Sequence, residues 1–155
     1  FSIAQNIAIS RSLKDGGYKG AMGLFHEVDE QRTAEAQREL LALKCHSVNQ
    51  NITELSGGNQ QKVLISKWLC CHPEVIIFDE PTRGIDVGAK AEIYKVMRQL
   101  ADDGKVILMV SSELPEIITV CDRIAVFCEG RLTQILTNRD DMSEEEIMAW
   151  ALPHE

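Results

Sequence analysis

A serine and two glycines stand immediately before a predicted helix, and these three residues could bind an anion. The segment reads LSGGNQQK over residues 55–62. Glycines let a ligand approach the backbone, the first turn of a helix carries N–H groups without intrahelical partners, and the Ser56 hydroxyl adds a donor. Ser56, Gly57 and Gly58 therefore suit a terminal phosphate. A plain helix N-cap after a flexible turn explains the same three residues taken alone.

Two carboxylates, Asp79 and Glu80, follow the apolar run at 75–78. Ligands of parallel α/β sheets bind outside the carboxyl ends of the strands, where these side chains would emerge. Asp79 could hold Mg²⁺ through water, and Glu80 could polarise an attacking water. Taken alone, two solvated acids before a turn are ordinary. The Ser-Gly-Gly turn and this acid pair are joined by a single helix, 58–71, and this combination is much less common than either feature alone.

Helices and strands alternate along most of the chain. The expected helices cover residues 1–9, 28–44, 56–71, 87–102, a segment from about 115, and a short one after the capping box Ser143-x-x-Glu146. The expected strands are 75–78, 106–110 and 123–127, with 132–137 as a hairpin partner after a turn at 129–131. This alternation predicts an α/β fold with a parallel sheet, in which the run 75–78 is fully buried.

The smaller features of these elements give further expectations. Asp15-Gly16-Gly17 is expected to break the first helix, and Ser56 is placed to cap the third. The helix 28–44 is amphipathic, with an apolar side formed by Ala36, Leu40, Leu41 and Leu43.

Composition describes an ordinary globular chain of 155 residues, with 45% hydrophobic and 26% charged residues. Sixteen basic against twenty-four acidic residues give a net charge of −8, which disfavours general nucleic-acid binding. Five cysteines without Cys-x-x-Cys spacing indicate a reducing compartment. The chain begins at Phe1 without a signal-peptide pattern, and we expect a piece of a longer protein.

Three segments in this order resemble the ATP-binding subunits of ABC transporters: LSGGNQQK, IIFDEPTRGID and VSSELPEIITVCDRIAVFCEGR. The first is similar to the signature motif, the strand VIIFDE to Walker B, and Gly84-Ile85-Asp86 to the D-loop. The GNQQK ending of the first segment and the run DEPTRGIDVGAK look like the carbohydrate-uptake group that imports ribose, galactose, arabinose or allose, in particular its second ATPase half. The resemblance covers nearly the whole chain.

The resemblance implies a partial ABC-type P-loop ATPase domain, with part of a helical subdomain over 1–54 and the C-terminal part of the ATPase core over 55–155. ATP and Mg²⁺ are the implied cofactors. The implied metal residue is Asp79, the catalytic residues are Glu80 and Ser112, and the nucleotide-binding residues are Ser56, Gly57, Gly58, Gln60 and Asp86. The signature residues are expected to serve a nucleotide held by another ATPase half.

Two departures from the family pattern limit which of the family's properties can be assigned to this chain. The sequence contains no Gly-x-x-x-x-Gly-Lys-Ser/Thr segment, so we expect this chain alone to bind ATP poorly. The Q-loop glutamine is expected upstream, and Gln5 is not that residue. Ser112 stands where the family has its switch histidine, and a hydroxyl cannot carry charge as an imidazole can. The site that uses this Walker B strand is therefore expected to be slow or inactive.

The implied function is ATP hydrolysis that energises import of D-allose or a related monosaccharide. The implied partners are a second ATPase half, a membrane permease and, indirectly, a periplasmic sugar-binding protein, at the cytoplasmic face of the inner membrane; no nucleic acid is expected. Two alternatives stay open. One is a degenerate half that only completes the neighbouring ATP site, and the other is a soluble ABC-type ATPase of DNA repair or translation.

Overall fold

The structure is a computed structural model that describes residues 1–15 and 27–153. The helices are α1 (Ile3–Asp15), α2 (Glu27–Leu40), α3 (Gly57–Leu69), α4 (Val87–Asp102), α5 (Leu114–Val120) and α6 (Glu144–Ala151), with a 3₁₀ turn at Ile52–Glu54. The strands are β1 (Val75–Asp79), β2 (Val106–Val110), β3 (Arg123–Cys128) and β4 (Arg131–Thr137). Each predicted helix and strand is present. The predicted glycine break at 16–17 lies outside the described residues.

The chain forms two compact units, one made of Phe1–Ile76 and Thr82–Ile107 and the other of Ile77–Pro81 and Leu108–Glu155. The core of the first unit comes from α1, α2, α3 and the loop before α3, and includes Ile3, Ile7, Ala34, Leu43, Val48 and Val63. The core of the second unit is built on Ile124, Val126, Met142 and Ile147. In the described residues, no helix has the length and apolar character required to cross a bilayer.

The first helix begins with a reciprocal cap that the sequence pattern contains but that we did not predict. The Gln5 backbone N–H donates to Ser2 Oγ at 3.1 Å, and the Ser2 N–H donates to Gln5 Oε1 at 2.9 Å. This Ser-x-x-Gln arrangement satisfies two N–H groups at the start of α1. The Gln5 side chain therefore has a structural role here.

Helix α2 ends at Leu40, four residues before the predicted end at Lys44. Ala42 adopts a left-handed backbone conformation, with φ 46°, and the Leu43 N–H donates to the Arg38 carbonyl at 2.9 Å. This is a Schellman motif. Its left-handed residue is usually glycine, and because alanine occupies the position here, the sequence gives no signal that the helix ends. The predicted apolar side is half wrong, because Leu41 and Leu43 are buried whereas Ala36 and Leu40 are exposed.

Strands β1 and β2 pair in parallel. The Val106 N–H donates to the Glu74 carbonyl, and further along both strands the Glu80 N–H donates to the Val110 carbonyl, each at 2.9 Å. The prediction that 75–78 is fully buried is wrong, because only Phe78 is buried and Ile77 is 67% exposed. Alternate apolar side chains of both strands are exposed, so within the described residues one face of this two-stranded sheet lacks a covering layer: Val75, Ile77, Val106, Leu108 and Val110.

Strands β3 and β4 form the predicted antiparallel hairpin, with Cys128 opposite Arg131. Its two-residue turn has positive φ at both Glu129 (48°) and Gly130 (75°), as in the turns that match the twist of paired strands. The third strand was expected to join the parallel sheet, but β3 lies in a separate sheet with β4. Alternation of elements predicts the α/β class, but it does not select the pairing partner of each strand.

Candidate functional site

Ser56 occupies the N-cap position of α3, but its side chain does not cap the helix. The prediction of a hydroxyl cap is therefore wrong, although the helix does begin at Gly57. The first intrahelical bond runs from the Gln60 N–H to the Ser56 carbonyl at 2.9 Å. The N–H groups of Gly57 and Gly58 precede that bond, so an anion could use them.

The Ser56 hydroxyl instead accepts a hydrogen bond from the amide of Asn59. The Asn59 Nδ2–Ser56 Oγ distance is 2.9 Å, and Asn59 Oδ1 accepts from the Lys44 backbone N–H at 2.9 Å. The Lys44 N–H fixes the orientation of the amide, because only the amide oxygen can accept that bond. One lone pair of Ser56 is thus used, and its hydroxyl proton is directed away from Asn59.

Helices α3 and α4 approach closely at their first turns, within the first unit. A Cβ added to Gly58 would lie 2.4 Å from Ala89 Cβ, and one added to Gly57 would lie 3.4 Å from Ile85 Cγ2. Asp86 caps α4, because its carboxylate accepts from the Ala89 N–H at 3.0 Å. Two helix starts, one with Ser56 and one with Asp86, are thereby brought together.

A buried lysine of α3 links the two helices through an ion pair with a glutamate of α4. Lys62, with 4% of its side chain exposed, contacts Glu92 Oε2 at 2.8 Å and donates to the Ala42 carbonyl at 3.1 Å. Lys44 contacts the other oxygen of Glu92 at 2.8 Å. Hydrogen bonds first from Lys44 and then from Lys62 lower the pKa of Glu92 to about 2. The segment 42–44 contains the N–H that orients Asn59, and it is held by one ion pair, from Lys44 to Glu92, and by one hydrogen bond, from Lys62 to the Ala42 carbonyl.

The second unit holds the other predicted residues. Glu80 has a left-handed backbone, with φ 47°, which is uncommon outside glycine and is typical of strained functional positions. Its Oε1 accepts from the Ser112 backbone N–H at 2.9 Å. Asp79 precedes it at the end of β1 and is exposed. The predicted catalytic pair, Glu80 and Ser112, is thus in contact, but through the Ser112 main chain.

The predicted site residues are therefore distributed between the units. Ser56, Gly57, Gly58, Gln60 and Asp86 lie in the first, and Asp79, Glu80 and Ser112 lie in the second. The Gln60 side chain donates to the Leu55 carbonyl at 2.9 Å, so it supports the turn before α3. Sequence reasoning missed the role of Asn59, for which the only signal was a position three residues after Ser56.

The fold is that of an ATP-binding cassette. A nucleotide-free ATP-binding cassette from an ABC transporter aligns with a TM-score of 0.76 at 21% identity, covering 96% of this chain and 59% of that one. A dimeric cassette in a post-hydrolysis state bound to ADP and Pi aligns with a TM-score of 0.70 at 24% identity, covering 90% and 57%.

The chain belongs to the ABC transporter family, whose model matches residues 2–83. It is 97% identical over its whole length to the D-allose import ATP-binding protein AlsA of Escherichia coli. It is 48% identical over 97% of its length to a ribose import ATP-binding protein, RbsA, of Bacillus cereus. It is also 48% identical over 94% of its length to the L-arabinose transport ATP-binding protein AraG of Geobacillus stearothermophilus. The chain spans 28–30% of the length of these relatives.

Proposed function

We propose that this chain is part of an ATP-hydrolysing subunit that energises the import of a monosaccharide, D-allose or a related sugar. The family match and the sugar-import names of relatives along nearly the whole chain support this proposal. The assignment of D-allose as the sugar rests on the 97% identical relative alone.

Glu80 acts as the general base that orients the attacking water. The observation that carries this role is the 2.9 Å hydrogen bond between the Ser112 N–H and Glu80 Oε1. A backbone donor holds the carboxylate without protonating it, and every residue type at 112 except proline would supply that donor. This contact supports a competent base despite the missing switch histidine, and the degenerate half remains the alternative.

Asp79 would hold Mg²⁺ in the assembled site. Its exposed carboxylate at the strand end is a hard oxygen ligand of the kind that this ion prefers. Mg²⁺ in nucleotide sites needs only one or two protein carboxylates, because phosphates and water supply the rest. Bound there, the ion would neutralise charge on the phosphates.

The turn formed by Ser56, Gly57 and Gly58 contacts the terminal phosphate of a nucleotide held by a second ATPase half. The exposed Ser56 hydroxyl, which accepts from Asn59 and keeps its own proton to donate, and the helix N–H groups supply the donors. Asp86, at the start of the adjoining helix, lies at the same interface, and Gln60 supports the turn. Residues 55–155 would belong to the ATPase core, and residues 1–54 to a helical subdomain that docks on a permease.

The assembled importer would thus comprise a second ATPase half, a membrane permease and, indirectly, a periplasmic sugar-binding protein. This subunit would bind peripherally at the cytoplasmic face of the membrane, without contacting sugar or nucleic acid.

The test is ATP hydrolysis by the full-length protein reconstituted with its permease. Glu80→Gln keeps the shape of the side chain and removes its basicity, so we expect a loss of ~10²–10⁴ in rate. Glu74→Gln makes the same chemical change at the other end of β1 and should retain the parental rate. A parental rate for Glu80→Gln would instead favour the degenerate half.

A further inference from the structure

We propose that Glu116 is a positioning residue for Glu80, acting through Ser111 and the backbone N–H of Ser112. The inference rests on the proposed role of Glu80 as the general base. Glu116 does not touch the reacting groups, and no part of the proposed chemistry uses it.

The end of β2 holds Glu80 at two points. The Glu80 backbone N–H donates to the Val110 carbonyl at 2.9 Å, and its side-chain Oε1 accepts from the Ser112 N–H at 2.9 Å. A left-handed conformation at a residue with a Cβ persists only where its surroundings enforce it. The position of the carboxylate is therefore set by the segment 110–112.

That segment is fixed in turn by the Ser111 hydroxyl. Ser111 Oγ donates to Glu116 Oε2 at 3.0 Å and accepts from the Glu113 backbone N–H at 3.0 Å. Glu116 Oε2 accepts the Ser111 hydroxyl proton, which leaves a lone pair of Ser111 Oγ for the Glu113 N–H. The two bonds close the turn around Ser112 and aim its N–H at Glu80.

Glu116 is itself unusually placed for a carboxylate, because only 5% of the residue is exposed. Burying a carboxyl group is unfavourable unless hydrogen bonds compensate, and the Ser111 hydroxyl supplies one such bond. Ser111 is held on both sides, because its hydroxyl donates to Glu116 and accepts from the Glu113 N–H. Glu116 therefore connects α5 to the turn that holds the base.

A purely structural role makes a different prediction. An acidic residue in the first turn of a helix stabilises that helix by complementing its dipole. If Glu116 acted only in this way, its removal would lower the stability of the protein. An acceptor oxygen restored at position 116 would then not restore the activity, and the effect of removing Glu116 would not depend on Glu80.

The experiment measures ATP hydrolysis by the full-length protein reconstituted with its permease. We expect Glu116→Ala to lower kcat about ten- to hundredfold, the scale of a misplaced catalytic group, with little change in the KM for ATP. Glu116→Gln keeps an oxygen that can accept from Ser111 and should stay within about threefold of the parent. In a Glu80→Gln background, Glu116→Ala should cause no further loss, because the base it positions is already gone.

The possible outcomes separate this inference from the proposed function. Loss on Glu80→Gln with a parental kcat for Glu116→Ala would overturn the inference and leave the function standing. A parental rate for Glu80→Gln would overturn both. If Glu116→Ala does not fold, as judged by loss of a cooperative thermal transition, Ser111→Ala decides. It removes the same connection without deleting a buried carboxyl group, and a parental kcat for that variant would overturn the inference.

Discussion

Gly58 and Ala89 mark the closest approach of α3 and α4, because a Cβ on Gly58 would stand 2.4 Å from Ala89 Cβ. Real Cβ atoms do not come this close, so the two helices can adopt this packing only with glycine at 58. The second glycine of the motif therefore has a packing role that is independent of any phosphate.

We expect Gly58→Ala to lower the free energy of unfolding by about 1–3 kcal/mol, the usual cost of overpacking, although alanine is the better helix former. Urea unfolding of the full-length protein measures this change. Gly57→Ala is the matched control, because its Cβ would meet only a side-chain methyl of Ile85 at 3.4 Å. The double variant Gly58→Ala/Ala89→Gly should recover part of the loss, and no recovery would contradict the packing role.

Glu92 should make stability depend on pH. Its pKa is lowered to about 2 from a usual 4.5 by Lys44 and Lys62, so its stabilisation is complete above about pH 4.5 and is lost as pH falls towards 2. The whole shift corresponds to about 3 kcal/mol, but the side chain is 38% exposed and solvent screening leaves about 1–2 kcal/mol.

We therefore expect Glu92→Gln to be less stable than the parent by about 1–2 kcal/mol at pH 7, with the difference narrowing below about pH 4.5. Urea unfolding at a series of pH values checks this, with Glu74→Gln as an exposed carboxylate control. A difference that stayed constant from pH 7 to about pH 3 would contradict the two ion pairs.

Asn59→Asp tests the orientation of the Ser56 hydroxyl. A carboxylate can accept from the Lys44 N–H but cannot donate to Ser56, so it would draw the Ser56 proton towards itself. We expect hydrolysis to fall by about a hundredfold, as when one oriented donor is lost, and Asn59→Ala to fall by only about three- to tenfold.

The measurement is steady-state hydrolysis by the reconstituted transporter, with thermal melting to confirm that each variant folds. A smaller loss for Asn59→Asp than for Asn59→Ala would show that the orientation of this hydroxyl is immaterial.

The elements that depend on near neighbours could be predicted from the sequence. Helix α4 and strand β2 have the expected bounds, and the predicted N-cap of α6 is present, with the Glu146 N–H donating to Ser143 Oγ at 3.2 Å. A helix that starts at a capping aspartate and stops before a glycine is specified within a few residues. The order of the motifs also predicted the family, because each motif is a short local pattern.

Contacts between distant residues were decided only by the tertiary structure. Glu80 and Ser112 are 32 positions apart, and Lys44 and Glu92 are 48 apart, so no local pattern relates them. The bond that holds Glu80 comes from a backbone N–H, which every residue except proline possesses and which therefore leaves no mark on the sequence. The exposure of Ile77 likewise depends on whether another layer covers the sheet. Residue types thus specified which groups could do the chemistry, and the packing of distant segments specified how those groups are held.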